Sequence, residues 1–228
     1  MARENLCRSK KLIAHIVIFF AFWSIYAVFI APYVKGQNNL LFNLISPIIK
    51  LLVWTAPVLI ILSREKKDIV SCLKLYKNSD NCIRWSIISG IAIVGYNLLV
   101  SHLFYQDFFF NPFFAWHKWL GGVILVGFTE EVLFRGYFLQ RLITCFPFWM
   151  ANVITSVLFL LIHFPGWYAH SAQMAQGVFE WLLLMAFIFG FSLAEGWSLR
   201  KSNSLWPCII MHSLNNFMSY AVVTAASR

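Results

Sequence analysis

Three charged residues, Glu130, Glu131 and Arg135, lie within an otherwise mostly apolar stretch, residues 121–139. A charge at membrane depth costs about 3 kcal/mol, so it is seldom kept there without a partner or a function. Glu131 and Arg135 are four residues apart and can pair on one helical face, whereas Glu130 projects about 100° away. Two interpretations follow: the charges hold helices together, or Arg135 offsets one carboxylate and leaves the other free for chemistry.

Two further positions carry groups suited to hydrolysis. His163 follows Phe159 by four residues near the end of an apolar run, and His212 precedes Asn216 by four residues. Taken singly, such residues are typical of interfacial side chains and of hydrogen bonds between membrane helices. Taken together with the glutamates, they favour a single site. A carboxylate there could act as a general base, and two histidines with a carboxylate are also a ligand set for a catalytic zinc ion.

Three other charged residues within apolar runs are interpreted as interfacial, and a role in the site is a second possibility only for Lys50. Glu180 and Glu195 lie close to the two ends of one run and are expected at the membrane interface. Lys50 follows Pro47 in another run, and we expect its long side chain to reach toward the interface by snorkelling.

The composition indicates that these residues belong to a membrane protein. The chain has 228 residues, 60% of them hydrophobic and only 12% charged, about half the charge of a soluble domain. Apolar runs near the ~20 residues that a membrane helix needs recur along the chain. The predicted spans are 12–32, 40–62, 85–104, 121–142, 148–163, 179–199 and 205–226.

These runs predict an all-α, polytopic transmembrane bundle, because backbone polar groups in the bilayer must be satisfied internally. Residues 105–118 form either an interfacial helix or part of an eighth span. We expect one membrane domain over residues 1–228.

Basic residues predict the orientation in a cell membrane. They cluster at the N-terminus, which carries Arg3, Arg8, Lys10 and Lys11, and in the loop 63–84, while the alternate loops carry few. This alternation places the N-terminus in the cytoplasm. The basic residues at the membrane edges, in contact with the lipid bilayer, also account for the net charge of +9. Because no soluble domain is predicted that could display a basic surface, we expect no nucleic-acid partner.

Three motifs in order resemble the CPBP family of intramembrane proteases, also called the CAAX prenyl endopeptidase or Abi family. The resemblance covers residues 121–220. The motifs are Glu-Glu-x-x-x-Arg at Glu130, Glu131 and Arg135, Phe-x-x-x-His at Phe159 and His163, and His-x-x-x-Asn at His212 and Asn216.

The resemblance implies an intramembrane metalloendopeptidase that hydrolyses a peptide bond in a membrane-associated protein or peptide. By position, Glu130 would activate water, and Glu131 with Arg135 would balance the site. His163 and His212 would either ligate a divalent metal, zinc being favoured, together with Glu130, or stabilise the oxyanion with Asn216. The substrate could be a CAAX-type tail or a bacteriocin-related peptide in maturation or self-immunity.

Two other functions fit the same residues. Intramembrane glutamates and histidines also relay protons in coupled transporters, although the chain has no visible inverted repeat. A non-catalytic immunity protein that binds a membrane peptide is the third reading.

Overall fold

The computed structural model describes residues 2–37, 39–76, 80–104, 108–169 and 177–224, and the side chains of residues 2–9, 37, 39, 108, 223 and 224 lie outside that description. The described chain is a helical bundle, which confirms the predicted all-α class. The α-helices are α1 (Ala2–Ile25), α2 (Ala31–Gln37), α3 (Asn39–Lys50), α4 (Ala56–Arg64), α5 (Ile69–Cys72), α6 (Asp80–Phe104), α7 (Val126–Glu131), α8 (Gln140–Leu142), α9 (Phe148–Leu161), α10 (Phe164–Ala169), α11 (Val178–Ser202) and α12 (Trp206–Ala221).

Four π-helical segments continue these helices without a break. They are π1 (Tyr26–Ile30), π2 (Leu51–Thr55), π3 (Lys118–Leu125) and π4 (Val132–Leu139). Wide turns of this kind are frequent at functional sites. Here π3 and π4 flank α7, which carries both adjacent glutamates, and π2 begins directly after Lys50.

Five helices are long and apolar enough to cross a membrane by length and composition. They correspond to the first, second, third, fifth and sixth predicted spans, and they are Lys10–Gly36, Leu40–Arg64, Asp80–Phe104, Phe148–Ala169 and Val178–Ser202.

The fourth and seventh predicted spans are helical but differ in character from these five. The fourth is a continuous helical run through π3, α7, π4 and α8, and its interior holds Glu130, Glu131 and Arg135. The seventh is α12, with 16 residues, or about 24 Å at 1.5 Å per residue. That these two segments also cross the membrane, which would give seven spans, therefore stays a prediction.

A short antiparallel sheet takes part of the segment 105–118, in which a helix was expected. Strand β1 (Phe108–Phe110) pairs with β2 (Val222–Thr224), with Phe109 opposite Val223. The expected interfacial helix or eighth span is wrong for residues 108–115, which contain no helix, while residues 105–107 lie outside the described chain. The pairing joins the loop before the fourth span to the end of the seventh.

The centre of the bundle is formed by α12, which packs along α6 and against α7 and π3, while α11 packs on α9. Gly127 makes the close approach of α7 and α12 possible, because a Cβ atom there would lie 3.1 Å from the backbone nitrogen of Ser213 and closer still to its hydroxyl. Hydroxyl pairs tie the other helices together: Ser192 to Ser156 and Ser89 to Ser198, each at 2.9 Å, as is common in membrane bundles.

The ends of three spans meet on one side of the bundle, as the predicted alternation requires. Arg141 at the end of the fourth span bonds Glu65 after the second at 2.5 Å, and Lys11 at the start of the first span lines the same cavity as both residues. Cytoplasmic placement of this side remains a prediction, and the side chains of Arg3 and Arg8, on which it partly rests, lie outside the described residues.

Candidate active site

The two adjacent glutamates point into different surroundings, because successive residues of a helix are about 100° apart. Glu131 is fully buried and faces Arg135, whereas Glu130 faces Lys50 and the edge of His212. We call Glu131, Arg135 and Glu195 the ion cluster, and Lys50, Glu130 and His163 the Glu130 site.

The ion cluster is a closed set of charges within the protein. The Arg135 guanidinium donates to Glu131 Oε1 at 2.9 Å, which is the pairing that the four-residue spacing predicts. It also forms an ion pair with Glu195, and all three side chains have 0% exposure. The interfacial placement expected of Glu195 is therefore wrong: α11 turns this residue inward toward Arg135. Glu180, in contrast, is exposed at the start of α11, and its place at the membrane interface stays a prediction.

His212 on α12 joins the ion cluster to the Glu130 site. Its Nδ1 lies 2.8 Å from Glu131 Oε1 and 3.4 Å from Glu195 Oε1. A carboxylate only accepts hydrogen bonds, so Nδ1 is the donor in this contact. The other ring nitrogen, Nε2, then faces Glu130 Oε2 at 3.8 Å. A carboxylate that fixes a histidine through Nδ1 orients the ring and leaves Nε2 directed at the reacting groups.

Lys50 is a functional candidate whose side chain was expected to reach toward the membrane interface. Its Nζ donates to Glu130 Oε1 at 2.5 Å, and the two side chains are only 14% and 7% exposed. The ammonium also lies over the rings of Trp54 at 4.9 Å and Trp23 at 5.5 Å, where cation–π attraction stabilises it. The snorkelling interpretation is therefore wrong. A lone lysine deep in an apolar run, opposite a run with two carboxylates, was the available signal.

His163 lies in the turn between α9 and α10, close to the site. Its Nδ1 is 2.9 Å from the Phe159 carbonyl oxygen, so Nδ1 donates and Nε2 is left with its lone pair. The imidazole interacts electrostatically with Glu130, Lys50 and His212. A histidine near the outer end of a straight span would lie away from Glu130, and the break in the helix after Leu161 brings the two residues within electrostatic range.

Phe159 gives the second motif a packing role. Its ring lies 5.3 Å from the ring of His163 and 5.9 Å from that of His212, and the Arg135 guanidinium lies over its face at 4.4 Å. One aromatic side chain therefore sets the positions of both histidines and covers the ion cluster.

Asn216 has a different environment from the one expected of an oxyanion donor. Its amide nitrogen donates to the Gly122 carbonyl oxygen at 3.0 Å. Its neighbour Asn215 accepts from Asn97 at 3.2 Å. These bonds tie α12 to π3 and to α6, and among the described contacts none joins Asn216 to Glu130 or His163.

The donor atoms present fit a metal ion poorly. Within the described residues, the cluster whose ligand atoms all lie within 4.8 Å of one another is Glu131, Glu195 and His212, and it already holds the Arg135 guanidinium. The predicted set of His163, His212 and Glu130 offers suitable atom types, but its carboxylate is bound to the Lys50 ammonium. Each candidate carboxylate set is thus balanced by a protein cation, and zinc stays a prediction.

The charges of the two regions nearly cancel. With all three ionised, Glu130, Glu131 and Glu195 would carry three negative charges, which Lys50 and Arg135 reduce by two. A protonated His212, in contact with the remaining carboxylates, would complete the balance. Buried charges are tolerated when they are paired in this way.

The comparisons with known proteins bear on this arrangement. The family model of type II CAAX prenyl endopeptidase Rce1-like proteins matches residues 111–218. The motif-bearing region is therefore similar to this family. The match includes all three motifs quoted above and confirms the CPBP resemblance, and with it a membrane protein of the protease class. No curated protein and no solved structure matches the chain significantly.

Proposed function

We propose that this CPBP-family chain is an intramembrane endopeptidase in which Glu130 is the general base. The observation that carries the proposal is the position of Glu130: Lys50 holds one carboxylate oxygen, and the other faces His212 Nε2 across 3.8 Å. That distance is too long for a direct hydrogen bond and suits a water molecule bonded to both atoms.

The proposed reaction begins with the transfer of a proton from this water to Glu130 Oε2. The water oxygen bonds the scissile carbonyl carbon, and the carbonyl oxygen takes the electron pair of the broken π bond. When the tetrahedral intermediate collapses, the C–N bond breaks and the leaving amine takes the proton from Glu130. A positioned general base contributes about 10²–10⁴-fold to such a step.

The other residues support this step by position and charge. Glu131 fixes His212 through Nδ1, so that Nε2 can hold the water. Lys50 bonds Glu130 directly and His163 interacts with it electrostatically, so a cation or a protonated imidazole there would stabilise the oxyanion. Asn216 would reach the oxyanion only after releasing the Gly122 carbonyl oxygen, so we assign it a positioning role.

The proposed substrate is a peptide held in the membrane. The family description points to a CAAX-type tail at a prenylated C-terminus, and a bacteriocin-related precursor is the second substrate class. The buried position of Glu130 supports both, because a scissile bond must enter the bundle to reach the carboxylate.

Cleavage assays on the purified protein test the proposal. We expect Glu130→Gln to lose nearly all turnover on a fluorogenic prenylated peptide while its melting temperature stays close to that of the wild type. Glu180→Gln is the matched control, because this glutamate is exposed, and it should cleave normally. Full cleavage by Glu130→Gln would exclude the mechanism, and a larger loss in Glu131→Gln would reverse the two roles.

The same preparation distinguishes the alternatives. Treatment with a chelator, followed by added zinc, tests the metal prediction: loss and recovery of cleavage would show that zinc takes part. Proton-driven uptake by proteoliposomes without cleavage would instead support a transporter. Peptide binding with neither activity would support an immunity protein.

A further inference from the structure

A large cavity opens on the side of the bundle where the basic span ends meet. Its volume is about 710 Å³, and it lies between the start of α1, the end of α4 and the end of the fourth span. A smaller cavity of about 190 Å³ adjoins it and shares Leu12, Lys67, Tyr137 and Arg141. Neither cavity is lined by the Glu130 site or the ion cluster, so a ligand here would be separate from the substrate.

The walls of this cavity combine a basic rim with an apolar interior. Lys11, Lys67 and Arg141 contribute positive charge, and Glu65 contributes the only carboxylate among its lining residues. Glu65 already pairs with Arg141 at 2.5 Å and with Lys67 at 3.5 Å, so Lys11 has no carboxylate partner within the cavity wall.

The apolar part of the wall faces the region that lipid would occupy. Leu12, Ile18, Pro57 and Ile61 line it. Ile18 is 55% exposed and lies on a helix that is apolar enough to span the membrane, so lipid would contact its side chain. An occupant with both an anionic group and hydrocarbon chains would therefore match both parts of the cavity.

His15 provides a second, independent indication of a ligand. Its side chain lines the cavity and is 9% exposed. Neither ring nitrogen has a hydrogen-bond partner within the described part of the chain, while the ring packs against Tyr137 at 5.2 Å and Phe138 at 5.6 Å. A buried polar group without a partner is costly. Both nitrogens are covered by protein atoms, so the ring would have to turn toward the cavity before a phosphate oxygen there could accept a bond from it.

We propose that this cavity is a binding site for one anionic phospholipid. The phosphate lies among Lys11, Lys67 and His15, and the acyl chains extend along Ile18 and Ile61 toward the bilayer. Basic pockets between membrane helices at the cytoplasmic side are suited to acidic headgroups. A free phosphate ion shares the headgroup chemistry but would leave the apolar wall uncovered.

Lipid titration of the full chain tests this site. The purified protein is titrated with phosphatidylglycerol, phosphatidylcholine or inorganic phosphate, and binding is followed by native mass spectrometry. We expect phosphatidylglycerol to bind, with phosphatidylcholine much weaker and phosphate without effect. Equal binding of the two lipids would overturn the proposal, and phosphate competing fully at millimolar concentration would assign the site to a free anion instead.

Neighbouring residues supply matched variants. Lys11→Gln should weaken phosphatidylglycerol binding about fivefold, the effect of roughly one lysine charge near an acidic headgroup. Lys10→Gln removes the adjacent charge, which does not line the cavity, and should change binding little. Equal effects of the two substitutions would show a diffuse surface attraction and overturn the proposed site.

A second pair of variants tests the apolar wall. Ala14→Trp places a large side chain in the cavity, because Ala14 lines it. Ile13→Trp places the same side chain on the exposed helix surface beside the cavity. We expect Ala14→Trp to abolish the preference for phosphatidylglycerol and Ile13→Trp to retain it. Retention of the preference in both variants would contradict an occupant inside the cavity.

Discussion

The ion cluster and the Glu130 site both pair carboxylates with cationic side chains, but the protein encloses the ion cluster more completely. In the ion cluster one guanidinium lies between two carboxylates with 0% exposure, whereas in the Glu130 site one ammonium meets one carboxylate at 14% and 7% exposure. A fully enclosed set of charges has no room for a reacting molecule and suits a structural role. A carboxylate with an oxygen directed at a histidine edge can exchange a proton.

The largest expected effect tests the structural side of this comparison. Arg135→Met removes the cation between Glu131 and Glu195, and leaving buried charges without a partner destabilises a protein by about 3–5 kcal/mol. We expect loss of folded protein in detergent, measured by thermal unfolding and size exclusion.

Arg141→Met is the matched control, because this arginine pairs with Glu65 at partly exposed side chains and its loss should lower the melting temperature less. A stable, folded Arg135→Met protein that has lost only its activity would move Arg135 into the active site.

The next effect tests the catalytic side. Lys50→Met removes the cation bound to Glu130, and we expect turnover to fall on the order of 10²-fold, as for the loss of a group that stabilises the transition state. Lys50→Arg should recover part of the rate because it keeps the charge. The measurement is single-turnover cleavage of the prenylated peptide, with unfolding followed in parallel.

Lys35→Met is the control for Lys50, since Lys35 is an exposed lysine at the end of α2. If Lys50→Met lowered stability and left the rate per folded molecule unchanged, Lys50 would belong with the structural charges.

A smaller effect concerns the helix contact that brings the two regions together. Gly127→Val would place side-chain atoms against Ser213 on α12 and push His212 away from Glu131. Overpacking of this kind destabilises by about 1–3 kcal/mol, and we expect a reduced rate and a lower melting temperature. Gly95→Val adds the same atoms where nothing lies within 4 Å, so a similar loss there would contradict the contact argument.

The smallest expected effect is a pH dependence of stability that arises from Glu65, on the side of the bundle where the basic span ends meet. Burial raises the pKa of Glu65, but the hydrogen bond and charge of Arg141, together with Lys67, outweigh it and hold that pKa below its ordinary value. Because the folded pKa is the lower one, the stabilisation is present above the unfolded pKa and is lost as the pH falls through the folded pKa.

At partly exposed sites such a contribution is a few tenths of a kcal/mol. Comparing the melting temperature of the wild type with that of Glu65→Gln between pH 7 and 3 measures it. A difference between the two proteins that grows as the pH falls would contradict the assigned sign.

The fourth span shows why the partners of some residues could be predicted from the sequence. Glu131 and Arg135 pair as their spacing requires, because partners four residues apart on one helix need no knowledge of the rest of the fold. Five spans were predictable for a similar reason, since length and hydropathy are local properties.

Glu195 and Lys50 show where this reasoning failed. Each is the partner of a residue at least 60 positions away in the chain, and sequence position within a span gives depth but not the direction in which the side chain points. Residues 108–115 failed for a related reason: β1 depends on pairing with β2, which comes from the far end of the described chain.

The sequence by itself determined the membrane class, most of the spans and the set of polar groups in the motif-bearing region. These follow from composition, periodicity and spacing along single helices, while the likeness to the CPBP family rests on the resemblance of three motifs. The tertiary structure decided which glutamate meets which cation, because helix rotation and packing bring Lys50 to Glu130 and Glu195 to Arg135. In a medium where an unpaired charge is so unfavourable, that choice of partners separates the proposed base from the charges that hold the bundle together.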